Sequence, residues 1–287
     1  DSRIYNSNIN DNIVFSKGTP RKLRNLNGSV LSLLTGGGGN NNYWHWLVDV
    51  LPRLALCSKT VNLSEIDYFL LPDHIKKFQI ETLDCLNIPR QKRLSSKKFR
   101  HISAKKLIVT DHPVVISGDA TQDTHNIPRW IILWLKEVFL NKQFKTNKIN
   151  KNKIYIDRGE SDRDYLPQRQ ISNEDEVKKY LLKNNFVSIK LQDIDFVKQI
   201  DLFHNAECIV GLHGAGLANL VFCKEKTKVI ELRSSNAGPM YENIAKKNNL
   251  NYNSLISEAK QIHKYNYPNQ QGSIDVSINS LAKIFEN

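Results

Sequence analysis

Apolar and polar positions along the chain fall into blocks of two kinds. Short apolar runs bounded by turn residues read as strands: Ser29 to Leu34, Asp67 to Leu71, Lys106 to Thr110, Lys153 to Asp157, Val187 to Leu191, the run into Gly211, Lys228 to Leu232 and Tyr252 to Ile256. Longer segments with apolar residues every three to four positions read as helices. These are Tyr43 to Leu56 (kinked or ended near Pro52), Ile75 to Leu86, Asn126 to Leu140, NEDEVKKYLLKNNF, Asp195 to Asn205 and Tyr241 to Asn248. NEDEVKKYLLKNNF opens with acids and closes with lysines, the order a helix dipole favours. Strands and helices alternate without long hairpins, which predicts an α/β protein with parallel, doubly wound sheets. Trp130 and Trp134 are expected to pack rather than to bind a ligand.

Between the two halves of this pattern lies NKQFKTNKINKNK, polar, lysine-rich and without period, as a domain linker is. It sets a boundary near Asn147: an N-terminal α/β domain over 1–146 and a C-terminal one over 147–287, whose last helix is free to pack back on the first. A length of 287 residues suits two such domains. An apolar fraction of 40% with 24% charged residues is the composition of a soluble globular protein.

Charge adds a feature that periodicity does not show. The net charge is +12, and Arg90, Lys92, Arg93, Lys97, Lys98, Arg100, Lys105 and Lys106 follow one another without an acid; a second lysine-rich run covers Lys142 to Lys153. Such runs are solvated surface, or a patch for a lipid phosphate, an acidic glycan or a membrane face. Without interleaved aromatics to stack bases, nucleic acid is the least favoured partner. Cys57, Cys85, Cys208 and Cys223 show no CxxC spacing and sit in apolar segments, as buried thiols of a reducing compartment do. The expected location is therefore cytoplasmic, with peripheral membrane contact through 90–106. No apolar run reaches the length of a membrane span and no signal peptide is visible. The chain starts at Asp1 with Met240 as its only methionine, so the expectation is that an N-terminal segment, and any anchor in it, has been removed.

The richest chemistry lies in Glu207 to Leu232, ECIVGLHGAGLANLVFCKEKTKVIEL. A strand runs into a glycine turn that opens a helix, and a second strand carries an acid. Gly214 and Gly216, lacking Cβ, let a phosphate approach the backbone, and the N–H groups of Gly214, Ala215, Gly216 and Leu217 are expected to face it. His213 is placed to donate to the same oxygens. Glu231 can accept from ribose hydroxyls, with Asn219 also near the nucleoside. The alternative is a tight packing turn beside a surface Glu. A P-loop is excluded because its lysine and Ser/Thr are missing. A dinucleotide fingerprint wants a small residue at Asn219, and a hydrolase would need a GxSxG elbow that occurs nowhere.

A second stretch, TGGGGNNNYWHWLVDVLPRLAL, puts His45, Asp49 and Arg53 on one helix face beside a glycine loop, with Trp44, Leu47, Val48, Leu51 and Ala55 opposite. Such a trio can face a cleft, or His45 and Asp49 can merely bond each other. Arg158, just past a strand, and Arg169 are guanidiniums able to grip two phosphate oxygens at once; the alternative is a surface ion pair with Asp162 or Glu174.

GLHGAGLANLVF followed by KVIEL, the NYWHWLVDVLPRL stretch, and arginines after KIYID and before NEDE together resemble glycosyltransferase family 61, over most of Gly36 to Ile256. The resemblance implies a GT-B fold, two Rossmann-like domains facing across a cleft, and an inverting transfer from a nucleotide sugar, most readily a UDP-sugar, to a glycan, polysaccharide or lipid-linked saccharide. It carries over Arg158, Arg169 and His213 with the glycine turn as diphosphate ligands. Asp49 is the first candidate for the base and His45 the second, alone or oriented by the carboxylate. The family usually has Ser where Asp157 stands. No metal or other cofactor is required in this scheme, since arginines and a helix start do the same work; Mn2+ or Mg2+ stimulation stays open. The DxD at Asp193 to Asp195 lies between a strand and a helix and is assigned to structure. Two other classes stay in view: a dinucleotide-binding, oxidoreductase-like protein, and a non-catalytic binder of anionic glycan or nucleic acid.

Overall fold

Every strand pair in the two main sheets is parallel. The computed structural model describes residues 18, 21–35, 41–117, 120–140, 152–158, 169–260 and 272–286. The chain divides into two units, Asp1–Phe139 and Leu140–Asn287. The expected glycine loop at 36–40, most of the linker, and Asp162 lie outside the described residues.

In the first unit the strands are β1 (Arg24–Ser32), β2 (Tyr68–Leu71), β3 (Arg93–Ser95) and β4 (Ile102–Val109), in the order β3-β2-β1-β4. Strand β1 bulges between Leu26 and Ser29, where Gly28 passes so close to Asp67 that a Cβ would come 2.5 Å from its Oδ2. Asp67 accepts there from the Ser29 N–H at 2.8 Å. The short connection from β3 to β4 is no helix; Phe99 within it packs on Val30, Leu70 and Leu94.

Helix α1 has three segments, Tyr43–His45, Trp46–Val50 and Pro52–Cys57, the middle one a π-turn closed by the Leu51 N–H on the Trp46 carbonyl at 3.1 Å. This is the form the expected kink takes. Pro52 has no N–H to give and its ring would crowd the carbonyl one turn back, and the wider turn accommodates both. The other helices of the unit are α2 (Lys77–Cys85), α3 (Ala120–His125) and α4 (Arg129–Leu140). Trp46 is fully buried and donates from its indole N–H to Thr82 on α2 at 2.8 Å. Trp130 and Trp134 are half-buried on α4, beside its buried stripe Ile131, Ile132, Leu135 and Phe139.

The second unit holds β5 (Asn152–Ile156), β6 (Arg169–Ile171), β7 (Phe186–Ile189), β8 (Ala206–Leu212), β9 (Lys228–Ser234), β10 (Asn251–Ser257) and β11 (Gly272–Ile274). Five of them form a sheet in the order β10-β9-β8-β5-β7, and β6 pairs with β11 in a separate parallel ribbon. Its helices are α5 (Glu174–Lys183), α6 (Phe196–His204), α7 (Met240–Lys247) and α8 (Ile278–Glu286). One face of the sheet presents Tyr155, Val210, Leu212, Ile230, Leu232 and Leu255 to the core. The last helix packs on this unit, with Phe285 against Tyr180 and Phe186. Cys57, Cys208 and Cys223 are buried thiols and Cys85 is half-buried; burial pushes Cys208 up to about 11. No described helix is long and apolar enough to cross a membrane.

Candidate functional site

Numbered within its own unit, the second sheet runs 5-4-3-1-2. The chain leaves β5 toward one side of the sheet and β8 toward the other, so a crevice opens at the carboxyl ends of these neighbours, the usual ligand position in such sheets. Arg158 follows β5 by two residues and His213 follows β8 directly. The two converge: a methyl group on Gly214 would sit 3.5 Å from Cζ and Nη1 of Arg158. Arg169 joins from β6, its Nη1 donating to the His213 carbonyl at 3.1 Å. Asn173 holds the end of that ribbon by bonding both the N–H and the carbonyl of Val276. Arg169, Leu212, His213, Ser234, Ala237 and Ile274 line a shallow depression here.

His213 is buried at 2% exposure, and its Nδ1–H donates to Glu231. The register explains this contact. Gly211 is level with Glu231 and Leu212 with Leu232, so His213 extends β8 on the sheet face that carries Glu231 and Arg233. The other oxygen of Glu231 accepts from the Tyr252 hydroxyl on β10. Tyr241 of α7 packs edge-on against the imidazole, ring centroids 4.9 Å apart. Burial lowers the His213 pKa below the ordinary histidine value; Glu231 opposes that, and Arg169 and Arg233 reinforce it. Burial first, then Glu231, raises the hydroxyl pKa of both Tyr241 and Tyr252.

GAGLAN opens a helix, as expected; it is of 3-10 type and spans Ala215–Phe222. Its first internal bond is the Leu217 N–H on the Gly214 carbonyl at 2.9 Å, so that amide is turned inward; Ala215 and Gly216 are half-buried residues. Glu231 is wholly buried, one oxygen accepting from His213 and the other from Tyr252. Asn219 is also wholly buried, donating to Gln199, which in turn donates to the Leu191 and Ile194 carbonyls, so neither side chain faces solvent. Gly216 is small for packing, since a Cβ there would meet Leu191 at 2.9 Å. The 3-10 helix ends on Asn248, whose amide donates to the Leu220 and Cys223 carbonyls at 2.8 and 3.2 Å.

Asp157 pairs with Lys178 at 3.0 Å, and Glu174 binds the Tyr155 hydroxyl at 2.9 Å and Lys178 at 3.3 Å. Asp195 begins α6 and pairs with Lys198 at 3.4 Å.

The first unit has its own switch point, between β1 and β4, and a second polar cluster forms there. His45 Nδ1–H donates to Asp49 Oδ2 at 2.5 Å. Arg53 donates from Nε to the Asp49 carbonyl at 3.0 Å and from Nη1 to the carbonyl of Thr110, just past β4, at 3.4 Å. Burial lowers the Arg53 pKa and Asp49 opposes it. The His45 side chain keeps 30% of its surface and that of Asp49 only 8%, with Oδ1 buried and without a hydrogen-bond partner among the described residues. The trio is therefore not an open polar face: the imidazole is the group a substrate can reach, and the carboxylate stands behind it.

His112 completes this cluster and was not expected. Its Nδ1 accepts from the Val114 and Val115 N–H groups, both at 3.3 Å, which puts the ring proton on Nε2. Burial lowers its pKa, with Asp49 opposing and Arg53 and His45 assisting. No motif marks it; only its place after β4 could have. Tyr252 and Arg233 were missed likewise, because their places depend on strand register, and Tyr241 because its place depends on how α7 packs on the sheet.

An arginine-flanked glycine corner at a parallel sheet's switch point marks a nucleotide-binding α/β fold. The sequence profile of glycosyltransferase 61 matches residues 43–230, and the chain belongs to that family. It is similar to the EGF domain-specific O-linked N-acetylglucosamine transferases of Gallus gallus and Mus musculus, 29% identical over 89 residues in each case. That alignment covers 29% of this chain and 17% of each relative, so the chain spans under a fifth of their length.

Proposed function

We propose that the chain is an inverting glycosyltransferase that moves a sugar from a nucleoside diphosphate, a uridine nucleotide first, to a glycan or lipid-linked saccharide. The observation that carries this reading is the convergence of Arg158, Arg169 and His213 on Gly214 at the switch point of the second sheet. Arg169 and Arg233 act on His213, and Arg169 and Arg158 on Tyr241 packed against it. A diphosphate placed here would meet these guanidiniums. As the bond between the sugar C1 and the diphosphate oxygen breaks, the electron pair goes to the phosphate, and fixed guanidiniums stabilise this state more than the ground state. The acceptor oxygen bonds to C1 from the face opposite the leaving diphosphate, and its proton goes to a general base, for which His45 Nε2 is the candidate. Asp49 holds that imidazole in the tautomer with its Nε2 lone pair free.

The order of the two candidate bases is thus reversed in favour of His45, because the Asp49 carboxylate is covered. An oxidoreductase-like reading is weakened, because Glu231 is not available to the ribose of a dinucleotide. The relatives' activity makes N-acetylglucosamine the first sugar to assay. A thermal-shift panel of UDP, GDP, CMP and NAD, followed by hydrolysis and transfer assays with sugars of the stabilising nucleotide, tests the proposal. Stabilisation by UDP and turnover of a UDP-sugar support it; stabilisation by NAD alone would replace it.

A further inference from the structure

The hydrogen-bonded row His213, Glu231, Tyr252 crosses three adjacent strands, β8, β9 and β10, and ends at the pocket. Glu231 is 0% exposed and cannot reach a ligand. Its two oxygens fix His213 on one side and take a phenol on the other. With Nδ1–H given to Glu231, Nε2 is the ring nitrogen left for a ligand, and His213 lines the depression.

A neutral imidazole in this tautomer offers a lone pair at Nε2, which repels a phosphate oxygen. A diphosphate can use that nitrogen only after it gains a proton. The groups around the ring set the balance. From β9 come Glu231 and Arg233, from β10 Tyr252, from α7 Tyr241, from β6 Arg169, and from the end of β5 Arg158. Burial keeps the proton off in the absence of nucleotide, with Glu231 opposing and Arg169 and Arg233 assisting. An arriving diphosphate adds negative charge beside Nε2 and favours the protonated ring.

We propose that Glu231 and Tyr252 are positioning residues that present His213 Nε2 to the leaving diphosphate, so that nucleotide binding takes up one proton at this nitrogen. The inference rests on the nucleoside-diphosphate reading above. The proton comes from solvent and stays on Nε2 while the nucleotide is bound; Nδ1–H remains on Glu231 throughout.

The experiment is calorimetric titration of UDP into the full chain at pH about 7.5, above the second phosphate pKa of the nucleotide, in two buffers of different ionisation enthalpy. The expected result is uptake approaching one proton per UDP, with Kd rising by up to about tenfold per pH unit. His213→Gln, which keeps a side-chain donor, is expected to bind more weakly and without uptake. Tyr252→Phe is expected to shift the pH of half-uptake by at least about half a unit. Binding of UDP with no uptake and a flat pH profile would overturn the inference and leave the nucleotide site standing. An unchanged profile in Tyr252→Phe would remove Tyr252 from the role. Absence of any UDP binding would overturn both.

Discussion

Arg158 lies against Gly214, with room for a methyl group on Gly214 only at 3.5 Å from the guanidinium, whereas one on Gly216 would meet Leu191 at 2.9 Å. The first distance is ordinary contact and the second requires movement. Gly214→Ala is therefore expected to melt like wild type but to lose at least about tenfold in UDP affinity, an effect of about 1.4 kcal/mol, because the methyl stands where a phosphate must approach. Gly216→Ala is expected to cost no more than about 1 kcal/mol, because the atom met is the Cδ1 end of the half-buried Leu191 side chain, which can turn away. Denaturant unfolding with and without UDP separates the two.

In the first unit, His45→Gln and Asp49→Asn are each expected to reduce transfer by about 10²–10⁴-fold, the range for loss of a general base. Both variants should keep UDP stabilisation, since their contacts lie within α1. Full transfer by His45→Gln would remove this residue from the role; a loss of UDP stabilisation would place the effect on the donor.

Stability should fall on mild acidification. His213 and His112 both have pKa values held below the ordinary histidine range by burial. The unfolded chain, with histidine near 6.5, takes up protons first, so stability drops as pH falls below about 6.5 and continues down to the folded value. For buried His213 the slope is at most about 1.4 kcal/mol per pH unit, and His112 acts in the same direction. The carboxylates Asp67 and Asp84, whose pKa values hydrogen bonds lower, contribute only in more acidic solution. Urea melts at pH about 7 and 5.5 check this; His112→Gln should reduce the difference.

Asn248 joins the end of α7 to the last carbonyls of the 3-10 helix. Asn248→Ala leaves those buried acceptors without their donor and is expected to cost about 1–3 kcal/mol. UDP binding by the folded fraction should persist, because Arg158 and Arg169 are untouched.

The strand pattern gave the parallel class and most elements, since buried strands and amphipathic helices write their periods directly into the chain. Strands β3, β6 and β11 were not legible, because three residues carry no period. The glycine turn and the arginines were visible as motifs. What the motif could not tell is which groups face outward: Glu231 looks like a ribose ligand until the register with β8 and β10 puts it beneath His213 and beside Tyr252. His45 and Asp49 share a helix face in the sequence pattern, and only the packing of α1 shows that the carboxylate is covered and the imidazole partly exposed. His112 and Arg233 carry no sequence signal of their own, and only chain folding brings them to the sites.

The most direct test of the nucleotide site is the affinity of UDP for wild type beside Arg158→Ala and Arg169→Ala, measured by calorimetry. Each guanidinium makes charge-assisted contacts of about 1.5–3 kcal/mol, so each variant should bind roughly 10- to 150-fold more weakly while keeping its fold. Equal affinity in all three proteins would contradict the account.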